Sequence, residues 1–143
     1  MINKFIDTLS YDEKIVFFEL FCKMVKSDGI VKEEEISCLK AMAQKYGLEN
    51  KEVVNIIRNA SEIDYCREAE KITDRKHALQ LIKELCFLSN VDGAMSDAEL
   101  DIIVDAAEAM NIDEDKVVQI NRLVLNNLVL LKAEQIIMEE DDE

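Results

Sequence analysis

Two short acidic segments carry the residue types best suited to chemistry. The first runs Asp28-Gly29-Ile30-Val31-Lys32-Glu33-Glu34-Glu35, and the second Asp92-Gly93-Ala94-Met95-Ser96-Asp97-Ala98-Glu99. Both read Asp-Gly-x-[Val/Met]-x-x-x-Glu. Hard divalent cations such as Ca²⁺ and Mg²⁺ take carboxylate and backbone oxygens as ligands. A loop Asp and a Glu seven residues later, in the first turn of a helix, can face one another across the turn. Asp28 with Glu35, and Asp92 with Glu99, are therefore the candidate metal ligands, with Glu33, Glu34 and Asp97 supplying oxygen nearby. An EF-hand loop needs acids at its third and fifth positions, Gly at the sixth and Glu at the twelfth. Counted from Asp28 those positions hold Ile30, Lys32, Glu33 and Leu39, and from Asp92 they hold Ala94, Ser96, Asp97 and Ile103, so neither loop is an EF-hand.

Each position also has a purely structural explanation. Gly reaches backbone angles that other residues reach only at a cost. Val31 or Met95 can plug a core where the chain turns. Ser96 can cap a helix, with Glu99 three residues on completing a capping box. First-turn acids suit the helix dipole, and Asp28 and Asp92 can each close an Asx turn. A cation site and a pair of helix caps both remain open from the residues alone.

Asp97, Asp101, Asp105 and Glu108 share one helix face at spacings of four, four and three, and no Lys or Arg lies between residues 84 and 116. Such a run reads as a solvated face, the alternative being a docking surface for a cation or a basic partner. The four cysteines, Cys22, Cys38, Cys66 and Cys86, form no CxxC pair, and His77, the one histidine, has no ligand partner at helical spacing. That argues against zinc. Cys22 and Cys86 sit in apolar runs and read as buried thiols. His77 reads as a solvated first-turn side chain. With no Gly-rich phosphate loop and no Ser/His or Cys/His constellation, no catalytic residue is assigned and the chain reads as a non-enzyme.

The elements that must position these loops come in two copies. Shifting the sequence by 64 residues aligns its halves without a gap. Asp28-Gly29 falls on Asp92-Gly93, Glu35 on Glu99, Cys22 on Cys86 and Ala43 on Ala107. Ser10 falls on Asp74, both good N-caps, and Gly47 on Asn111, both tolerant of a left-handed C-cap. The repeats span about residues 10–60 and 74–124. Each reads as three helices. The first carries Ile15, Phe17, Phe18, Phe21, Cys22, Met24 and Val25, and its counterpart Leu79, Ile82, Leu85, Cys86 and Leu88. The second carries Ile36, Leu39, Ala43 and Tyr46, matched by Leu100, Ile103, Ala107 and Met110. Asn50 and Asp113 are the expected caps of the third. Three pieces lie outside the repeat: a short helix in residues 2–9, another around Tyr65–Ile72, and a C-terminal run from Leu123 to Ile137 before the acidic tail at residues 139–143. That run serves as a core helix or a dimer contact, and a small domain needs its apolar helices inside, which favours the core.

Pro is absent and Gly occurs three times, as suits helices rather than strands. The expected fold is all-α, a compact helical bundle of about seven helices, forming one domain over residues 1–143. The net charge of −14 disfavours nucleic acid and anionic membrane surfaces as partners, while 49% hydrophobic content excludes disorder. No segment is apolar for long enough to span a bilayer, and the first residues lack a signal core. The expectation is a cytoplasmic protein whose partners are a basic protein or, through the C-terminal helix, a second copy.

Ser27-Asp28-Gly29-Ile30-Val31-Lys32-Glu33-Glu34-Glu35 and Val91-Asp92-Gly93-Ala94-Met95-Ser96-Asp97-Ala98-Glu99 resemble the loops of the TerB-like tellurite-resistance family, and the likeness runs from about Ser10 to Leu131. The chain is similar as well to the N-terminal domain of DjlA-type co-chaperones. The resemblance implies an all-α domain, a bacterial stress-response association, divalent-cation binding by the loop acids and no catalytic activity. Lys32 stands where the family often has Ser, which weakens the first loop as a site. Without Pro there is no J-domain His-Pro-Asp motif, and the co-chaperone version does not fit.

Overall fold

The computed structural model describes residues 4–28, 32–91 and 93–140. Its helices begin where the capping residues dictate. The α1 helix is Lys4–Thr8 and α2 is Tyr11–Val25. At the start of α2 the Glu13 amide donates to Ser10 Oγ at 3.1 Å, and the Ser10 amide donates to Glu13 Oε1 at 2.9 Å. That reciprocal pair satisfies two otherwise orphaned donors. A short 3₁₀ turn, Lys26–Asp28, follows α2, and then come α3 at Glu33–Tyr46 and α4 at Asn50–Arg58. A second 3₁₀ turn at Ala60–Glu62 and the short α5 at Tyr65–Ala69 lead to α6 at Arg75–Asn90, α7 at Asp97–Ala109 and α8 at Glu114–Glu140. The chain is all helical among the described residues, with eight α-helices where about seven were expected. The one-turn α1 and α5 both form, α5 held by the Arg67 amide on Asp64 Oδ1 at 3.2 Å.

The helix starts support the duplication: α6, α7 and α8 each begin 64 residues after α2, α3 and α4. Burial follows the same offset. Phe17 and Leu81, Phe18 and Ile82, Phe21 and Leu85, Leu39 and Ile103, Val53 and Val117, and Ala60 and Val124 are all in the core. Gly47 (φ 71°) and Asn111 (φ 62°) both take the left-handed conformation that stops a helix. Central to the core is α2, whose Val16, Phe17, Phe18, Leu20, Phe21, Cys22 and Met24 are buried on nearly every side. Phe21 meets Phe17 and Tyr46 edge-on at 6.3 and 6.0 Å. The other hub is α6, which packs against α2, α7 and α8.

Several expectations are corrected. Leu100 is exposed; α7 turns Ile102, Ile103, Ala106 and Ala107 inward instead. The reason is α5, which packs along α7 and draws the buried face round to Ile102 and Ala106. The cap of α4 is Glu49, not Asn50, and it makes no side-chain bond. The C-terminal run is core only at its start. Val124 is buried and Leu128 packs on the core, but Val129, Leu130, Leu131, Ile136, Ile137 and Met138 are exposed, because α8 continues beyond the helices it packs on. Residues 141–143 of the acidic tail, and residues 2–3 of the N-terminal piece, lie outside the described residues.

Candidate functional site

Each Asp-Gly loop is tethered to the third helix of its own repeat. In the first, Lys26 Nζ donates to the Ile57 carbonyl at 2.7 Å. At the same place in the second, Asn90 Nδ2 donates to Asn121 Oδ1 at 2.9 Å. The turn Lys26–Asp28 also packs against α7, whose N-terminus leaves the second loop. Gly93 has φ 152°, a backbone angle L side chains rarely adopt, although a Cβ there would meet nothing. That glycine is needed for its backbone freedom rather than for close approach.

The helix-start glutamates are held over the loops. Glu99 Oε1 accepts from the Ser96 amide at 2.9 Å, and the Glu99 amide donates to Ser96 Oγ at 3.1 Å. Glu35 Oε1 accepts from the Lys32 amide at 3.2 Å, but Lys32 has no side-chain acceptor to return the bond. Glu33, Glu34 and Asp97 are exposed in the adjoining first turns, and Met95 packs against the core as expected. Asp28 ends the first 3₁₀ turn. Asp92, with Gly29, Ile30 and Val31, lies outside the described residues. Among the described residues no three potential ligands stand together as a preformed metal centre. What the donors share is chemistry. All are oxygens, and Glu35 and Glu99 each spend one carboxylate oxygen on a backbone amide, leaving the other for a hard cation. The loops differ in charge: Lys26 and Lys32 flank the first, whereas the neutral Asn90 and Ser96 hold the same places in the second.

The acidic face of α7 is exposed but not wholly free. Tyr65 Oη donates to Asp105 Oδ2 at 2.9 Å, and Lys23 Nζ stands 5.9 Å from the centre of the Tyr65 ring while donating to the Ser61 carbonyl.

A second polar cluster went unseen in the sequence. An open cleft of about 680 Å³ is lined by residues that include Ser10, Glu13, Glu68, Lys71, Asp74 and His77. His77 is not a solvated side chain. Its Nδ1 lies 2.7 Å from Glu13 Oε2, and its ring sits edge-on to Phe5 at 6.4 Å. Partial burial opposes ionisation of Glu13, but the Ser10 amide and His77 outweigh it and hold the carboxyl below its ordinary range. Positions 13 and 77 are themselves 64 apart, and that offset was the one signal that could have paired them. Behind the cleft, burial first and the neighbouring Glu68 second push Glu19 up to about 8. Its Oε1 is buried without a partner. Two carboxylates cannot hydrogen bond unless one keeps its proton, and Lys71, 2.9 Å from Glu68, favours ionisation of Glu68. Cys22 and Cys86 are buried as expected, and burial pushes both thiols up to about 12.

Comparison with known proteins adds one finding. The profile of the family described as tellurite resistance protein TerB matches residues 14–122. No curated relative and no solved structure gives a significant match. With α2, both Asp-Gly loops and the helices on either side of them inside a match covering more than half its length, the chain belongs to the TerB family.

Proposed function

We propose that this TerB domain is a non-catalytic module that binds a divalent cation, Ca²⁺ or Mg²⁺, through its two Asp-Gly loops. The carrying observation is that Glu35 and Glu99, 64 residues apart, are each turned back over an Asp-Gly loop by a hydrogen bond to their own helix start. Asp28 with Glu35, and Asp92 with Glu99, hold the ion; Glu33, Glu34 and Asp97 add negative field. The cation-loaded form serves as an interaction or scaffold unit in a bacterial stress response of the tellurite-resistance kind, in the cytoplasm, with a basic protein as partner. Among the described residues no helix is long and apolar enough to cross a membrane.

Calorimetric titration with CaCl₂ and with MgCl₂ tests this reading. Saturable heat with a Kd of roughly 10⁻⁴ to 10⁻³ M, the range of weak carboxylate sites, is expected. No saturable heat with either ion at about ten times that concentration overturns it. The capping bonds themselves favour a second reading, in which the loops only start helices and the domain binds protein alone. That reading predicts no cation heat and an undiminished partner surface.

A further inference from the structure

Beyond Leu128, α8 leaves the bundle with apolar residues all round it. Between Leu123 and Met138, eight large apolar side chains are 41–67% exposed. Together they offer on the order of 800 Å² per chain, the area one partner contributes to a standard stable interface. A helix of this length without tertiary packing is marginal in water. The extension also lies beyond residue 122, where the family match ends.

Its charges say what covers it. From Lys116 to Ala133 the charged residues are Lys116, Arg122 and Lys132, all basic. From Glu134 to Glu143 they are Glu134, Glu139, Glu140, Asp141, Asp142 and Glu143, all acidic. In a chain of net charge −14, this one helix is basic near the bundle and acidic far from it. A copy running the opposite way matches that polarity end to end, whereas a parallel copy sets acid against acid.

We propose that α8 forms an antiparallel, two-fold symmetric homodimer centred near Ala133. In that register Lys132 of each copy meets Glu134 of the other. Leu128, Val129 and Leu130 meet Met138, Ile137 and Ile136, and Glu139 comes beside Asn127 and approaches Arg122. The two acidic bundles stay well apart. At 1.5 Å rise per residue their Val124 positions stand about 27 Å from one another, some three Debye lengths at physiological salt.

Sedimentation equilibrium of the full chain tests this, with near-ultraviolet circular dichroism as the check on folding. A dimer at tens of micromolar is expected. Leu130→Glu should raise its dissociation constant at least tenfold or so, as loss of a central apolar anchor does, with the bundle spectrum intact. Lys132→Glu and Glu134→Lys should each weaken the dimer by about threefold, typical of an exposed ion pair, and the double exchange should restore it. A monomer at 100 micromolar overturns the proposal, whether or not that monomer binds lipid vesicles. A dimer indifferent to Leu130→Glu overturns the place of contact. A double exchange no better than the singles overturns the antiparallel register.

Discussion

Replacing Glu99 by Gln separates a ligand from a cap. The amide oxygen of Gln can still accept from the Ser96 amide, as Glu99 Oε1 does at 2.9 Å, and the Ser96 Oγ bond to the backbone is untouched. Without metal the variant loses only a first-turn charge, worth about 0.3–1 kcal/mol at a helix N-terminus. Its melting temperature should fall by about 1–3 °C for a chain of this size. With metal the difference is larger. At a Ca²⁺ concentration of 10 to 100 times Kd, mass action stabilises the folded state by roughly 1.4–2.7 kcal/mol. That is a rise of about 4–8 °C at roughly 3 °C per kcal/mol. Glu99→Gln should remove more than half of this rise. Glu35→Gln should remove little, because Lys26 and Lys32 already oppose a cation at the first loop.

The assay is a thermal melt with and without CaCl₂, the reference matched in ionic strength with NaCl. The match matters because a chain of net charge −14 gains from any counterion that relieves self-repulsion. If Glu99→Gln keeps the whole Ca²⁺-specific rise, Glu99 is a cap and not a ligand, and the protein-interaction reading replaces cation binding. Asp92→Asn gives the companion result for the loop aspartate. Removal of Ca²⁺ with a chelator should return wild type to its metal-free melt.

Three further outcomes are expected. Cys38, exposed, should react first with a thiol reagent, while Cys22 and Cys86 label only as fast as the bundle unfolds; early labelling of both would place them outside the core. Glu19 holds a proton in the folded state that the unfolded chain releases, so its contribution to stability falls as pH rises from the ordinary carboxylate range to about 8. Glu19→Gln should therefore raise the melting temperature at pH 8.5 and leave it little changed at pH 5, and equal shifts at both would contradict the protonation. The contact between Glu13 and His77 should survive their exchange. Each single replacement by Ala costs about 1–2 kcal/mol of a partly buried charged hydrogen bond, while the double variant Glu13→His, His77→Glu regains most of it, read by chemical denaturation.

What was legible in the sequence was local. Ser10, Asp74, Ser96 and Asp113 announce helix starts because their oxygens reach amides two or three residues on. Gly47 and Asn111 announce stops because few other residues tolerate a left-handed angle. Phe17, Phe21, Leu81 and Leu85 fall in the core because their spacing leaves one side of a helix no other use. What stayed hidden depends on which helix lies beside which. Leu100 fits the apolar period of α7 as well as Ile102 does, and only α5 decides between them. Nothing local in His77 points to Glu13. Leu130 and Ile137 look the same in a sequence whether their own bundle covers them or a second chain does.

The two halves keep a common scaffold and part in electrostatics. Lys26 reaching Ile57 and Asn90 reaching Asn121 are the same tether at the same two places, each pinning a loop to the helix that follows. Glu13 and His77 occupy equivalent positions and touch. Equivalent positions of two repeats can meet only near an axis relating them, as in an isologous contact. The tether needs a donor, and either a lysine or an asparagine supplies one. A cation site is less tolerant. At an effective dielectric near 20, a unit charge 8 Å away is worth about 2 kcal/mol, more than the whole gain from a weak site near its Kd. Lysine at both flanking positions thus leaves the first loop its architecture while opposing a bound cation. Asparagine and serine at those positions keep the architecture of the second and leave its acids uncompensated. If one loop binds the ion, the second is the one whose surroundings allow it.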